Sequence, residues 1–166
     1  MQVVLEPQPL SAEAWAPFGW LPVADSDPAD GTHTLEFAWA DPHLNVIRHT
    51  ADEVERIGDG LVVGRLYRHD SHTQALMPLD VESVVVVAPA DATFTDASDV
   101  DRLRAFRLQP LDRFVLHRGT WHWGPFPVGD EAVNLLNVQG RRYAEDNTGV
   151  DPSGQLGIRT VVLVPR

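Results

Sequence analysis

Two short stretches hold most of the residues that could do chemistry. The first reads Tyr67-Arg68-His69-Asp70-Ser71-His72-Thr73-Gln74. The second, residues 111–126, reads LDRFVLHRGTWHWGPF and holds two His, two Arg and two Trp. Histidine titrates near neutrality and is the commonest metal ligand among side chains. Arginine offers a planar fork that matches a carboxylate. Together these types point to proton transfer or metal binding on a small anionic ligand. Residues two apart in a strand share a face. Tyr67 and His69 therefore make one same-face pair, and His72 and Gln74 a second. A turn at Asp70-Ser71 would aim both pairs inward. In the second stretch Gly119 breaks one apolar run after His117 and Arg118, and His122 opens the next. A tight turn would bring all three to one rim.

The elements that must position these residues read as strands. Leu35–Trp39, Leu44–Arg48, Leu61–Tyr67, His72–Met77, Ser83–Ala88, Leu103–Leu108, Arg113–His117, Ala132–Val138 and Ile158–Val164 are rich in β-branched or aromatic residues, with Gly, Pro, Asp and Asn between them. Residues 82–88 are apolar on both faces and predict a central strand. Ser11 caps a short helix through Trp15, with Trp15 and Phe18 spaced to pack on the body. Residues 25–33, Asp91–Asp101 and much of Tyr143–Gly157 read as polar loops. Many short strands with almost no helix predict an all-β sandwich or barrel. The length of 166 residues predicts a single domain, 1–166.

Composition removes several chemistries. There is no Lys, so no Schiff base and no P-loop lysine. There is no Cys, so no disulfide, thiolate nucleophile or Cys-ligated zinc. The net charge is -11 with no basic patch, which argues against nucleic acid. An anionic substrate would need local Arg, and Arg48 and Arg118 are the candidates. The opening MQVVLEPQPL lacks the basic start and apolar core of a signal peptide. The longest apolar run falls far short of the ~20 residues that span a bilayer. The expectation is a cytoplasmic protein without membrane contact.

The two stretches resemble the two motifs of a cupin barrel. Tyr67-x-His69 stands where His-x-His is usual, and Gln74 where Glu is usual. His117-x-Gly119-x-x-His122 stands for the second motif. A more specific resemblance is to the ureidoglycolate lyase family. It rests on residues 67–78, on Val84–Ala88, on Leu103-Arg-Ala-Phe106, on Ala14–Gly19 and, most specifically, on His117-Arg-Gly-Thr-Trp-His122. Tyr67 stands where the family has Glu, and Asp70 where it has Pro. The resemblance implies a cupin-like double-stranded β-helix, or jelly-roll barrel, with a short N-terminal helix. It implies a carbon–nitrogen lyase that splits ureidoglycolate into glyoxylate and urea in allantoin breakdown, and a homodimer.

On that reading His69, His117 and His122 are the proton-transfer candidates. Arg48, Arg118, Trp121 and Tyr67 are the substrate-binding candidates. His69, Gln74 and His122 could hold a divalent metal, which the family implies to be nickel. A metal-free His/Arg site remains the alternative, as do another cupin enzyme on a small carboxylic acid and a non-catalytic carboxylate-binding cupin.

Overall fold

A computed structural model describes residues 1–24 and 33–165. The loop expected over residues 25–33 lies, except for His33, outside the described residues. Among those described, the strands are β1 (Gln2–Leu5), β2 (Gln8–Pro9), β3 (Gly19–Trp20), β4 (Pro42–His49), β5 (Arg56–Ile57), β6 (Gly60–Val62), β7 (Leu66–Arg68), β8 (Gln74–Pro78), β9 (Ser83–Ala88), β10 (Arg104–Leu108), β11 (Phe114–Leu116), β12 (Trp121–Pro127), β13 (Val133–Gly140), β14 (Thr148–Val150) and β15 (Arg159–Leu163). Helix α1 is Ala12–Trp15 and α2 is Pro152–Leu156.

The fold is all-β and built in three layers. A six-stranded sheet runs β14-β7-β12-β9-β10-β2, and a five-stranded sheet runs β3-β11-β8-β13-β4. The chain crosses between these two sheets from β7 to β8, and again at β9, β11, β12, β13 and β14, which is jelly-roll winding. The expected barrel does not close: among the described residues the two sheets share no hydrogen-bonded edge, so the architecture is a jelly-roll sandwich. A third sheet, β1-β15-β6-β5, covers the back of the six-stranded one.

Strand β9 explains the layering. All six of its residues are buried. Val84 and Val86 pack with Trp121, Trp123, Leu61 and Val162 towards the third sheet. Val85 and Val87 pack with Phe106, Phe114 and Leu135 towards the five-stranded sheet. A strand that is apolar on both faces can only be central. Helix α1 plugs the second core: Ser11 caps it, and Trp15 meets Phe106 and Phe114 edge-on, both at 5.0 Å.

Several expectations need correction. Leu35–Trp39 is not a strand; only Phe37 makes a bridge, to His72, because residues 38–40 turn away. Leu61–Tyr67 splits into β6 and β7, which join different sheets. Asp91–Asp101 is no bare surface loop. The Asp99 carboxylate accepts from the Thr93 and Phe94 backbones, and Ala92, Phe94 and Val100 enter the first core. The stretch Tyr143–Gly157 carries β14 and α2.

The five-stranded sheet has its polarity reversed near β4. An antiparallel sheet with one wet face usually turns its apolar residues inward. Here Asn45, Asn137, Gln139 and Gln74 point in, while Leu44, Val46, Leu136, Val138, Ala75 and Met77 point out. Leu44 is 64% exposed and Val46 56%. The inward amides mark the polar end of the interior.

Candidate functional site

Between the two main sheets, at the end opposite the α1 core, lies a cavity of about 520 Å³. Strand register places its walls. On β12, His122 lies opposite Val87, so it shares the inward face of that strand pair. Trp121 lies opposite Ala88, on the outward face, and packs in the first core. The ladder between β12 and β9 then slips between Trp123 and Phe126. Gly124 takes up that bulge with φ +84, where a side chain would be strained. His122, Gly124 and Phe126 thereby all line the cavity. Tyr67 and His69, from β7 and the turn after it, line it too.

Three histidines gather at the inner end. The rings of His69 and His72 stack at 4.5 Å, and those of His69 and His122 lie 5.4 Å apart. His69, His72 and His122 are all buried. Gly140 makes room for His72, since a Cβ there would come within 2.8 Å of Nδ1.

The hydrogen bonds fix which atoms remain available. His69 Nδ1 lies 3.0 Å from the Asp146 carbonyl, and His122 Nδ1 3.1 Å from the Thr120 carbonyl. A carbonyl only accepts, so both rings carry their proton on Nδ1 and keep Nε2 as a lone pair. Gln74 donates its amide nitrogen to Asn137 Oδ1 at 2.8 Å and to Gln139 Oε1 at 3.2 Å. Its Oε1 is therefore turned the other way, buried and without a partner among the described residues. Both ring nitrogens of His72 are buried without a hydrogen bond to any described residue, although Nδ1 lies 3.4 Å from the Asp146 carboxylate. Buried polar atoms are rarely left unpaired, so this group of orphans calls for an explanation.

Asp146 holds the turn that carries two of these rings. Its carboxylate accepts from the backbone N–H groups of Asp70, at 3.1 Å, and Ser71, at 2.8 Å, and from Ser71 Oγ. Burial works against its charge, but the bonds from Ser71 and Asp70 outweigh burial and hold its carboxyl below the usual value. Burial, reinforced by His69, pushes His122 down to about 3 and His72 down to about 4. Burial also lowers His69. The three imidazoles are thus neutral at pH 7.

This donor set fits a divalent transition metal. His69, His72 and Asp146 offer ligand atoms that all lie within 4.8 Å of one another. Neutral imidazole suits ions such as zinc, copper, iron and nickel. The expected trio of His69, Gln74 and His122 also meets around one small void, shared with His72 and His117.

Other expected residues fall elsewhere. Arg48 alternates with the cavity-lining Ile47 and His49, so it stands on the outer face, with Nη1 3.4 Å from Asn134 Oδ1. Arg118 is exposed and pairs with Glu36 at 3.4 Å. Trp121 donates Nε1 to the Ala92 carbonyl at 2.8 Å, and its ring lies under the Arg68 guanidinium. His117 touches only the small void and leans on Trp20 at 5.5 Å. The guanidinium that lines the cavity is that of Arg65. It lies over the Tyr67 ring at 6.0 Å and has no carboxylate partner among the described residues. Gly149 leaves the space its Nε occupies.

Sequence reasoning passed over His72 as a site residue, and Asp146, His49 and Glu53 altogether. The spacing of His69 and His72 across a turn was a usable signal for the first. Asp146 had none, because it reaches the turn from more than 70 residues downstream.

No helix among the described residues is long and apolar enough to cross a membrane. No curated protein matches the chain. The solved structures similar to the chain at low levels include these three. The oxalate decarboxylase formate complex of Lactobacillus farciminis shares 13% identity at a TM-score of 0.36, over 64% of this chain and 36% of that one. The chain thus spans about a third of that enzyme's length. Peruvianin-I, a cysteine peptidase from Thevetia peruviana latex, shares 16% at 0.37, over 80% and 85%. A cupin 2 domain-containing protein of Halorhodospira halophila shares 18% at 0.29, over 67% and 69%. Scores this low leave the fold to rest on the strands themselves. The family rests on a separate match: the model described as ureidoglycolate lyase covers residues 29–152, a span that holds both motif stretches, and the chain belongs to the ureidoglycolate lyase family.

Proposed function

We propose that this chain splits ureidoglycolate into glyoxylate and urea in the cytoplasm, as a step of allantoin breakdown. The observation that carries the reading is that the family's most specific motif delivers His122 into the cavity that Arg65 lines. The substrate carbon bears a hydroxyl, a carboxylate and a urea nitrogen. Elimination needs the carboxylate held, the hydroxyl proton removed and the departing nitrogen protonated.

Arg65 is the residue for the first task. Its fork meets no carboxylate among the described residues, while Arg118 faces Glu36 and Arg48 faces outward. Tyr67 flanks it. For the second task His69 and His122 present unprotonated Nε2 atoms, and burial keeps both rings neutral. A divalent metal held by His69, His72 and Asp146 would supply Lewis-acid polarisation of a substrate oxygen and leave Nε2 of His122 free as the base. Nickel is the ion the family suggests.

Two copies pair, on this reading, through the outer face of β4, β13 and β8. The outward residues Leu44, Val46, Leu136, Val138, Ala75 and Met77 form an apolar patch without acidic groups in a chain of charge -11. Two like copies can approach there without like-charge contact.

The test is product formation. With purified protein and metal, urea and glyoxylate should appear in equal amounts, faster than in buffer. The same rate with and without protein would remove the lyase reading.

A further inference from the structure

The cavity has a second end, which the three histidines do not reach. On the inner face of β4, Asn45, Ile47 and His49 follow at two-residue steps, and all three line the cavity. Asn45 accepts from Asn137, which itself accepts from Gln74. Asn45 therefore marks the histidine end. Four residues on, at ~3.3 Å each, His49 stands about 13 Å along the strand.

His49 is held in a specific way. Its Nδ1 lies 2.8 Å from Oε2 of Glu53. The other oxygen of Glu53 accepts from the Thr50 backbone N–H at 2.8 Å and from Thr50 Oγ1 at 3.1 Å. The Phe126 ring braces the imidazole at 4.7 Å. Burial opposes the charge of Glu53, but the bonds from His49 and Thr50 outweigh it and keep the carboxyl below its usual value. A carboxylate on Nδ1 fixes the orientation of the ring and leaves Nε2 as the working nitrogen. Glu53 also lines the cavity.

Arg65 lies between the two ends. Tyr67 pairs with His122 across an antiparallel ladder, so Arg65, two residues earlier, sits beside Gly124 and on the Phe126 side. A substrate with its carboxylate on Arg65 has room for one substituent towards the histidines and another towards His49.

We propose that His49, oriented by Glu53, is the general acid that protonates the ureido nitrogen as it leaves; this rests on the lyase reading above. The hydroxyl proton is given up at the histidine end, to the base that the metal ligands leave free. Its O–H electron pair becomes the second bond of the new carbonyl. The C–N bond breaks, its pair goes to nitrogen, and nitrogen takes the proton from His49 Nε2. Glyoxylate and neutral urea result. One proton has entered the enzyme at one end and one has left from the other, and solvent resets both. His49 touches the leaving group; Glu53 is a positioning residue.

The test is steady-state turnover of ureidoglycolate by the metal-loaded wild type and by His49→Ala, His49→Gln, Glu53→Gln and Glu53→Asp variants, each checked for a wild-type unfolding transition. Loss of a general acid should lower kcat roughly 10²–10⁴-fold. We expect that loss in both His49 variants with KM within a few-fold. Added imidazole should restore part of the rate in His49→Ala alone. Glu53→Gln should lower kcat without raising KM, and Glu53→Asp should recover part of it. If the wild type turns over and the His49 variants keep its kcat, the dyad is wrong while the lyase reading stands. Loss that appears in KM, or that imidazole does not rescue, makes His49 structural and overturns the proposal. A wild type without turnover removes the lyase reading and this assignment with it.

Discussion

The imidazole of His69 stacks on that of His72 at 4.5 Å, inside the protein, with neither nitrogen of His72 hydrogen-bonded to a described residue. Burial, and the charge each ring would place beside the other, resist a second proton on either ring. Stability must therefore depend on pH. His72 and His122 titrate near 4 and 3 in the folded chain, both lowered first by burial, against about 6.5 in an unfolded one. Above about 6.5 both states are neutral at these rings. Below it the unfolded chain binds protons that the folded chain refuses. Stability should therefore fall as pH drops from about 6.5 towards 4, by about 1.4 kcal/mol per unit for each such ring. Denaturant midpoints across that range check it, and His72→Phe should flatten the slope. A flat profile in the wild type would contradict the burial argument.

Metal should stabilise the fold. A ligand at a hundred times its Kd adds about 2.7 kcal/mol. Nickel or zinc should raise Tm, and magnesium should not, because imidazole suits the former ions. His69→Ala should lose the response. A shift of equal size in that variant would place the metal elsewhere.

Asp146 should matter through the turn it ties down. Removing its carboxylate in Asp146→Ala leaves the Asp70 and Ser71 N–H groups without their acceptor. The cost should be about 1–3 kcal/mol in unfolding free energy. Metal affinity should fall roughly 10- to 100-fold, as when other supporting groups around a metal are removed. Titration calorimetry separates the two effects, and unchanged affinity would show that the turn holds itself.

Arg65 and Arg118 make opposite predictions. A charge-assisted bond to a carboxylate contributes about 1.5–3 kcal/mol, which is roughly a ten- to hundred-fold change in KM. Arg65→Lys should raise KM by that order, since the fork is lost while the charge stays. Arg118→Lys should leave KM near wild type, because that side chain faces Glu36 at the surface. The reverse result would return the carboxylate to the motif arginine.

The outer face of β4 offers a further check. Val46→Glu places a charge in the middle of the apolar patch. Light scattering should show a dimer for the wild type and half that mass for the variant. A monomeric wild type would leave the patch without a partner.

Much of this site was legible in the sequence for a local reason. Tyr67/His69 and His72/Gln74 obey the two-residue rule of strands, so their facing follows from chain order. The run of valines at 84–87 announces a strand buried on both sides. What stayed hidden depends on partners distant in sequence. Trp121 looked like a site residue beside His122, yet alternation sends neighbours to opposite faces, and only the pairing with Ala88 says which face is which. Arg48 fails for the same reason, one residue from His49. Asp146 sits in a polar tail whose composition reads as loop, and its role exists only once the tail folds back onto the turn. Leu61–Tyr67 reads as one strand because nothing local shows that its halves join different sheets.

The most direct measurement of the central claim compares turnover of ureidoglycolate by wild type, His122→Ala and Arg118→Ala at equal metal loading. The account predicts turnover near the spontaneous rate for His122→Ala and near the wild-type rate for Arg118→Ala. Wild-type turnover by a folded His122→Ala protein would contradict it.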